Sequence, residues 1–313
     1  MAKYLITGGA GFIGSNLARR LLSLGDQVVV LDDFSSGKRE NIEDIGDRIR
    51  LVEGDICNID TVKEAMVGID YVFHQAAVVS VPRSIDDPVR TNEVNVDGTL
   101  NCLIVARDSK VKRFVFAASS SAYGDSPELP KHEDMPPCPL SPYGVSKLVG
   151  EMYCRVFYEV YGLPTVSLRY FNIFGPYQDP ESQYAAVVPI FISKLLKSES
   201  PVVYGDGEQS RDFTYIDNAV EANLLAIRSE KADGQTINVA CGTQYTLNQL
   251  VRGLQRLTGA DIDPTYAAAR TGDIKHSLGD ISRASNLLGY EPRVSFEEGL
   301  ERTVAWFKDR LAA

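Results

Sequence analysis

A strand-like segment, Lys3 to Thr7, runs straight into Gly8-Gly9-Ala10-Gly11-Phe12-Ile13-Gly14, and helical spacing takes over from Phe12 to Leu24. The glycines therefore sit on a strand-to-helix turn. Without Cβ atoms at Gly8, Gly11 and Gly14, the backbone can approach a pyrophosphate, whose charge faces the N-terminal turn holding Phe12 and Ile13. The next apolar run, Gln27 to Leu31, reads as a second strand ending at Asp32, 18 residues after Gly14. A carboxylate there, with Asp33 beside it, can accept hydrogen bonds from adenosine ribose hydroxyls and favours NAD over NADP. Lys38 and Arg39 leave NADP open, because either could approach a 2′-phosphate.

Strand and helix signals go on alternating. Ile49 to Glu53 leads into Gly54-Asp55-Ile56, a turn that could flank the adenine. Asp70 to His74 reads as a strand, Asp87 to Asp108 as one long helix, and Arg113 to Ala118 as a strand. Pro142 to Tyr161 reads as a helix and Thr165 to Arg169 as a buried strand. Such alternation predicts an α/β fold, a Rossmann-type doubly wound parallel sheet with a smaller α/β substrate lobe. Ligands collect at the carboxyl ends of such strands, where Gly8, Asp32, Asp55, Gln75 and Ser119 fall.

After Phe171 the rhythm breaks into a loop from Gly175 to Ser182, a helix through Lys197 and a strand at Val202 to Tyr204. Phe213 to Ile216 and Thr236 to Ala240 could return to the sheet. The expected division is residues 1–170 and 212–243 as the dinucleotide-binding domain, and 171–211 and 244–313 as the substrate lobe.

The net charge of −10 over 313 residues argues against nucleic-acid binding, which needs a basic face. No cleavable signal and no membrane-length apolar run are evident. Five dispersed cysteines without CxxC spacing read as reduced thiols of a cytoplasmic protein, and three isolated histidines offer no metal cluster.

Tyr143 and Lys147 are four apart on a predicted helix and share a face. An ammonium beside the phenol would stabilise phenolate and make tyrosine a usable base. Ser119, 24 residues before Tyr143, could relay the proton or hold a substrate hydroxyl, or serve only as a turn residue.

With these residues in view, the chain resembles the extended short-chain dehydrogenase/reductases, specifically the nucleotide-sugar 4-epimerases. The likeness runs through the glycine turn, Gly54-Asp55-Ile56, His74-Gln75-Ala76-Ala77, Asn95-Val96-Asp97-Gly98-Thr99, Ser119 and Tyr143/Lys147. It continues through Arg169-Tyr170-Phe171-Asn172, Gly205 to Phe213, and Arg270-Thr271-Gly272-Asp273.

The resemblance implies a bound NAD, held also by Gln75, Ala76, Ala77 and Asn95, and a UDP-sugar substrate. It implies that Tyr143 takes the proton of the 4-hydroxyl, that Lys147 tunes Tyr143 and holds the nicotinamide ribose, and that Ser119 shares the proton. It implies UDP contacts from Asn172, Arg211, Val203, Tyr204, Arg270 and Asp273, with Ser121 and Ser80 at the sugar. A homodimer is expected, paired through the long helices.

Related galactose epimerases carry a lysine where Val79 stands, and glucose-specific relatives a tyrosine where Ser277 stands. The run Ala77 to Ser84 instead resembles the branch acting on N-acetylated UDP-sugars. The expected reaction is therefore UDP-GlcNAc/UDP-GalNAc interconversion, with UDP-Glc/UDP-Gal accepted more weakly. Ser120 and Ser121 stand where dehydratases and decarboxylases need a carboxylate. A glucuronate epimerase competes, although such enzymes place an arginine where Asp179 stands, and an inward-facing Asp179 would repel the acid. A non-catalytic NAD/UDP-sugar-binding relative is the other alternative, yet such proteins usually lose the Tyr or Lys retained here.

Overall fold

The computed structural model describes residues 1–181, 186–269 and 274–312. The first half alternates β1 (Lys3–Thr7), α1 (Phe12–Ser23), β2 (Gln27–Asp32), β3 (Ile49–Glu53), α2 (Ile59–Ala65) and β4 (Tyr71–His74). It continues through α3 (Val81–Asp86), α4 (Pro88–Asn92), α5 (Thr99–Asp108), β5 (Arg113–Ser119), α6 (Pro142–Tyr161) and β6 (Thr165–Tyr170). The second half contains β7 (Ile173–Phe174), α7 (Val187–Leu196), β8 (Val202–Tyr204), β9 (Ser210–Arg211), β10 (Thr214–Tyr215), α8 (Ile216–Arg228) and β11 (Gln235–Val239). It ends with β12 (Tyr245–Thr246), α9 (Leu247–Thr258), β13 (Thr265–Ala267), α10 (Ser282–Leu288) and α11 (Phe296–Ala312).

Seven strands form one sheet in the order β11-β6-β5-β4-β1-β2-β3. Every pairing in it is parallel. The order reverses between β1 and β4, so a crevice opens over their carboxyl ends. Two apolar layers enclose the sheet. Leu5, Val29, Leu31, Val72, Phe114 and Phe116 pack on one face with Leu103, Cys154 and Phe157. Ile6, Val28, Val30, Phe73, Val115 and Leu168 pack on the other with Leu17, Ala219 and Leu224. Alternate residues of each strand thus serve opposite layers, as the period of two requires.

Two expectations need correction. Asp87 to Asp108 is not one α-helix: Asp87 caps Pro88–Asn92, and Glu93–Gly98 is a π-helical turn before Thr99–Asp108. Asn95, within that turn, bonds Val78 and Ser146, and Thr99 reaches His74 (2.9 Å) while donating back to the Asn95 carbonyl (2.7 Å). These contacts offset the poorer helical hydrogen bonding, as at many functional π-turns. Nor does Phe213 to Ile216 return to the main sheet; Thr214–Tyr215 pairs with Ile173–Phe174 in a separate two-stranded sheet. The boundary strand Thr236 to Ala240 does join, as Gln235–Val239 beside β6.

Helix α6 carries the tyrosine and lysine. Ser141 caps it by accepting from the Gly144 amide (3.1 Å), Pro142 sits where no amide is needed, and left-handed Gly162 ends it. Mid-helix Gly150 lets α6 lie close on β5: an added Cβ would come 2.3 Å from the fully buried Phe116 ring. Alanine is intrinsically better in a helix by about 0.5–1 kcal/mol, but overpacking costs about 1–3 kcal/mol. Gly150→Ala is therefore expected to lower stability by about 1–2 kcal/mol in urea unfolding; a more stable variant would show that α6 does not bear on Phe116 as described.

Candidate active site

The glycine turn is built for an anion. Gly8 adopts a left-handed backbone (φ +69°), and a Cβ there would lie 2.7 Å from the Ala76 amide nitrogen. At Gly14 a Cβ would come 2.2 Å from the Gly8 carbonyl oxygen, so only glycine lets α1 start so close to β1. Helices α2, α3, α4, α6 and α9 are capped by Asn58, Ser80, Asp87, Ser141 and Thr246. Helix α1 begins at Gly11 with no side-chain cap and no acidic residue in its first turn. The Phe12 and Ile13 amides are thus left for an external acceptor, and a pyrophosphate fits that cradle.

Beside the turn, Asp32 is buried. One carboxylate oxygen accepts from the Ala10 amide (2.8 Å) and the other from the Phe34 amide (2.9 Å). Burial raises its carboxyl and these two bonds oppose the rise. Asp32 therefore shapes the cofactor loop itself, with lone pairs left over for ribose hydroxyls. Asp33 is exposed and closes a turn onto Ser35.

The two cations that left NADP open are both committed. Lys38 pairs with Asp179 (2.9 Å), and Arg39 pairs with Glu53 (2.5 Å) over the Phe34 ring. The first pair also answers the condition on Asp179. Its carboxylate faces the loop after β2 and is neutralised there, so the repulsion argument against a uronic acid does not hold.

Around the adenine end, Asp55 accepts from the Cys57 amide and pairs with Arg90 (2.6 Å), a partner that sequence alone did not suggest. Ile56 is buried against Gly98. The Gln75 side chain turns inward to Tyr170 (3.1 Å) and Asn223 (3.4 Å), which leaves the backbone of residues 75–77 to line the crevice. Asn95 is likewise engaged within the protein. The resemblance implies a cofactor contact for it, whereas its side-chain bonds are to Val78 and Ser146.

Ser119 ends β5, and the Ser121 hydroxyl and amide both donate to its hydroxyl oxygen (2.9 and 3.2 Å). The Tyr143 amide, in the first turn of α6, donates to Ser84 (3.1 Å), a buried residue the motif reading missed. Burial raises the Tyr143 phenol, and a hydrogen bond to Ser119 opposes that rise. Lys147 is buried, donates to the Ala117 carbonyl (2.8 Å), and lies 6.0 Å from the Tyr143 ring centre. Burial drives its ammonium down to about 8, opposed chiefly by Glu151. Tyrosine, serine and lysine thus meet at the carboxyl end of β5, in the arrangement a proton-transferring site needs.

The residues expected to hold the UDP-sugar come from the second half of the chain. Asn172 adopts a left-handed backbone (φ +37°) and donates to the Asp212 carbonyl (3.2 Å). Arg211 donates to the carbonyls of Ser210 (2.9 Å) and Lys275 (3.3 Å). Val203 is buried in β8 and Tyr204 is partly exposed. Ser277 is half-buried beside β9, its amide donating to the Ser210 carbonyl (3.0 Å). Val79 is exposed, and Ser80 accepts from the Arg83 amide at the start of α3. Arg270 and Asp273 lie outside the described residues. Among the described residues no group of His, Cys, Asp and Glu could hold a metal ion, and no helix is long and apolar enough to cross a membrane.

A model of the NAD dependent epimerase/dehydratase family matches residues 4–240. The chain is similar to the UDP-N-acetylglucosamine 4-epimerase of Methanobrevibacter ruminantium M1, solved with UDP-N-acetylmuramic acid (42% identity, 99% of each chain, TM-score 0.94). It is similar to the UDP-glucose 4-epimerase of Thermotoga maritima, solved with UDP-glucose (40% identity, 99% of each chain, TM-score 0.95). It is also similar to the UDP-glucuronic acid 4-epimerase of Bacillus cereus, solved with UDP-glucuronic acid and NAD (33% identity, 98% and 99% of the two chains, TM-score 0.91).

Asp212 ties the segment after β9 to the loop after β11 and to Gly279. Fully buried, it accepts from the amides of Cys241 (2.8 Å), Gly242 (3.0 Å) and Gly279 (3.2 Å), which fixes the segment bearing Arg211. An amide in its place would turn an NH₂ toward N–H donors. Asp212→Asn should cost about 1–3 kcal/mol in denaturant unfolding, and an unchanged midpoint would remove this clamp from the account.

Proposed function

We propose, from the premise that this chain belongs to the NAD dependent epimerase/dehydratase family, that it is a UDP-sugar 4-epimerase interconverting UDP-GlcNAc and UDP-GalNAc. NAD is its cofactor and, when bound, supplies the acceptor and donor for the hydride of sugar C4. The observation carrying the reading is the meeting of Tyr143, Ser119 and Lys147 at the strand ends above an uncapped glycine turn.

Tyr143 takes the proton of the sugar 4-hydroxyl, and Ser119 shares that hydrogen bond. The 4-keto sugar then turns over, and Tyr143 returns the proton once the hydrogen is back on the opposite face of C4. Burial makes the phenol a reluctant acid, so it needs a neighbouring cation to ionise near neutral pH. Lys147, titrating at about 8, is mostly protonated at pH 7 and can supply that charge. Arg211 and Asn172 would hold the diphosphate, with Val203 and Tyr204 at the uridine and Arg270 and Asp273 completing the site. Arginine suits this task because its donor fork matches phosphate oxygens.

The preference for a 2-acetamido sugar rests on Ser277, a small side chain beside Arg211, and on Val79 and the Ser80 to Ser84 run. The similarity to a relative solved with UDP-N-acetylmuramic acid, itself N-acetylated, supports it. A uronic acid is disfavoured for a different reason from charge repulsion: position 179 offers no cation for the carboxylate. UDP-Glc and UDP-Gal are expected to be weaker substrates.

Tyr143→Phe should retain NAD and UDP-sugar binding while lowering kcat by ~10²–10⁴-fold, measured by coupled assay and by ligand titration. Turnover near that of the unmodified enzyme would remove Tyr143 from the mechanism. Ser277→Tyr should abolish turnover of the N-acetylated pair by steric overlap while sparing UDP-Glc/UDP-Gal, since the ring acts by exclusion. Equal loss of kcat/KM for both pairs would place substrate choice elsewhere.

A further inference from the structure

Lys147 lies in a dry interior where a lone ammonium is unfavourable. It is 3% exposed and has one hydrogen bond in view, to the Ala117 carbonyl. One helical turn further along α6, Glu151 is 5% exposed, and its two carboxylate oxygens accept from one edge of the Arg169 guanidinium (Nε to Oε1 2.9 Å, Nη2 to Oε2 2.7 Å). Arg169 comes from β6, where its register partner on β5 is Ala118, next to the carbonyl that holds Lys147. On its other side it pairs with Asn238 of β11. The guanidinium lies 4.6 Å from the centre of the Tyr123 ring, whose hydroxyl donates to the Asn238 side chain (2.6 Å).

We propose that Glu151, locked in place by Arg169, is a positioning residue whose negative charge keeps Lys147 an ammonium and thereby keeps Tyr143 a competent base. The electrostatic part concerns this chain's own side chains; only its link to turnover rests on the 4-epimerase reading.

Among the described residues, Glu151 is the carboxyl group that acts on Lys147. On its own helix are Tyr143, Glu151 and Cys154; burial holds Cys154 as a thiol, pushed up to about 12. From β4 comes His74, held neutral by burial and by Lys147 itself, down to about 3. From β5 come the Ala117 carbonyl and the Phe116 ring, 5.1 Å from the ammonium; from β6 Arg169 reaches Glu151, with Tyr123, pushed up to about 12 by burial, against its guanidinium. Glu151, paired with Arg169, is the one carboxyl among them. Burial raises its carboxyl, and the two-point guanidinium contact, with Lys147 beside it, opposes the rise. Of the neighbouring charges, the carboxylate is the one that most favours the charged lysine. The arginine serves the glutamate, and the glutamate serves the lysine.

A buried pair left with one partner can cost the fold itself, so two variants are needed. Glu151→Gln removes the charge and keeps the shape. Glu151→Gln combined with Arg169→Met removes both charges and strands neither. With ¹³C-labelled lysine in the protein as purified, the Lys147 resonance, assigned by its loss in Lys147→Met, is titrated by NMR. In Glu151→Gln, Lys147 should titrate roughly one unit lower than in the unmodified protein, and in the double variant, which also loses the Arg169 cation, it should move in the same direction by less. The alkaline limb of kcat should move to lower pH with it, while KM for the UDP-sugar changes little. Glu151→Asp, which keeps the charge, should restore most of the shift.

An unshifted Lys147 in the folded double variant, or a shift that Asp does not rescue, would reduce Glu151 and Arg169 to a packing pair and overturn the proposal. The NMR result stands even if no UDP-sugar turns over, which would instead count against the epimerase reading.

Discussion

The constraint on which the rest depends is the reversal of strand order between β1 and β4 in a wholly parallel sheet. Parallel pairing sends every strand's carboxyl end to the same edge. The glycine turn after β1, Asp32 after β2, the 75–77 segment after β4 and Ser119 after β5 therefore share one crevice. Register sharpens this: Ser119 lies opposite Tyr170, and Ala118 opposite Arg169, so this serine and the buried guanidinium come from neighbouring positions on paired strands. Helix α6 lies over that edge at the distance Gly150 permits, which brings Lys147 to the Ala117 carbonyl.

Much of this was legible because it is local. Turn glycines, a carboxylate at a strand end, and a capped helix starting at Ser141-Pro142 are each written within a few residues. The tyrosine–lysine face follows from helical spacing alone. What stayed hidden depends on distant partners. The π-turn at Glu93–Gly98 is held by contacts from Asn95 to Val78 and from Thr99 to His74, so the periodicity of Asp87 to Asp108 could not reveal it. The short pairing of Thr214–Tyr215 with Ile173–Phe174 reads like a strand of the main sheet because its apolar pattern is the same. Which way Asp179 faces depends on its partner, Lys38, which the sequence does not pair with it. Glu151 sat in plain view one turn past Lys147, but its meaning comes from Arg169, which only sheet register brings alongside.

The site combines two electrostatic regimes. At the cofactor end, exposed or half-exposed carboxylates neutralise Lys38, Arg39 and Arg90, so no free cation remains among them to recruit an extra phosphate. Such pairs contribute little to stability, since water screens them. Their effect is on selectivity. At the catalytic end, Lys147, Glu151 and Arg169 are out of water, and each charge matters because its neighbour is there. The first arrangement suits binding NAD, and the second suits moving a proton at a position fixed to within a hydrogen bond.

The central claim is that the sugar is oxidised and reduced again at C4 by hydride transfer while Tyr143 handles only the hydroxyl proton. The most direct measurement is incubation of the purified protein with UDP-GlcNAc in D₂O, followed by ¹H NMR of the sugar. The account predicts that UDP-GalNAc forms with ordinary hydrogen retained at C4, because the hydride never meets solvent. Deuterium at C4 of the product, or no conversion by protein that carries NAD, would contradict it.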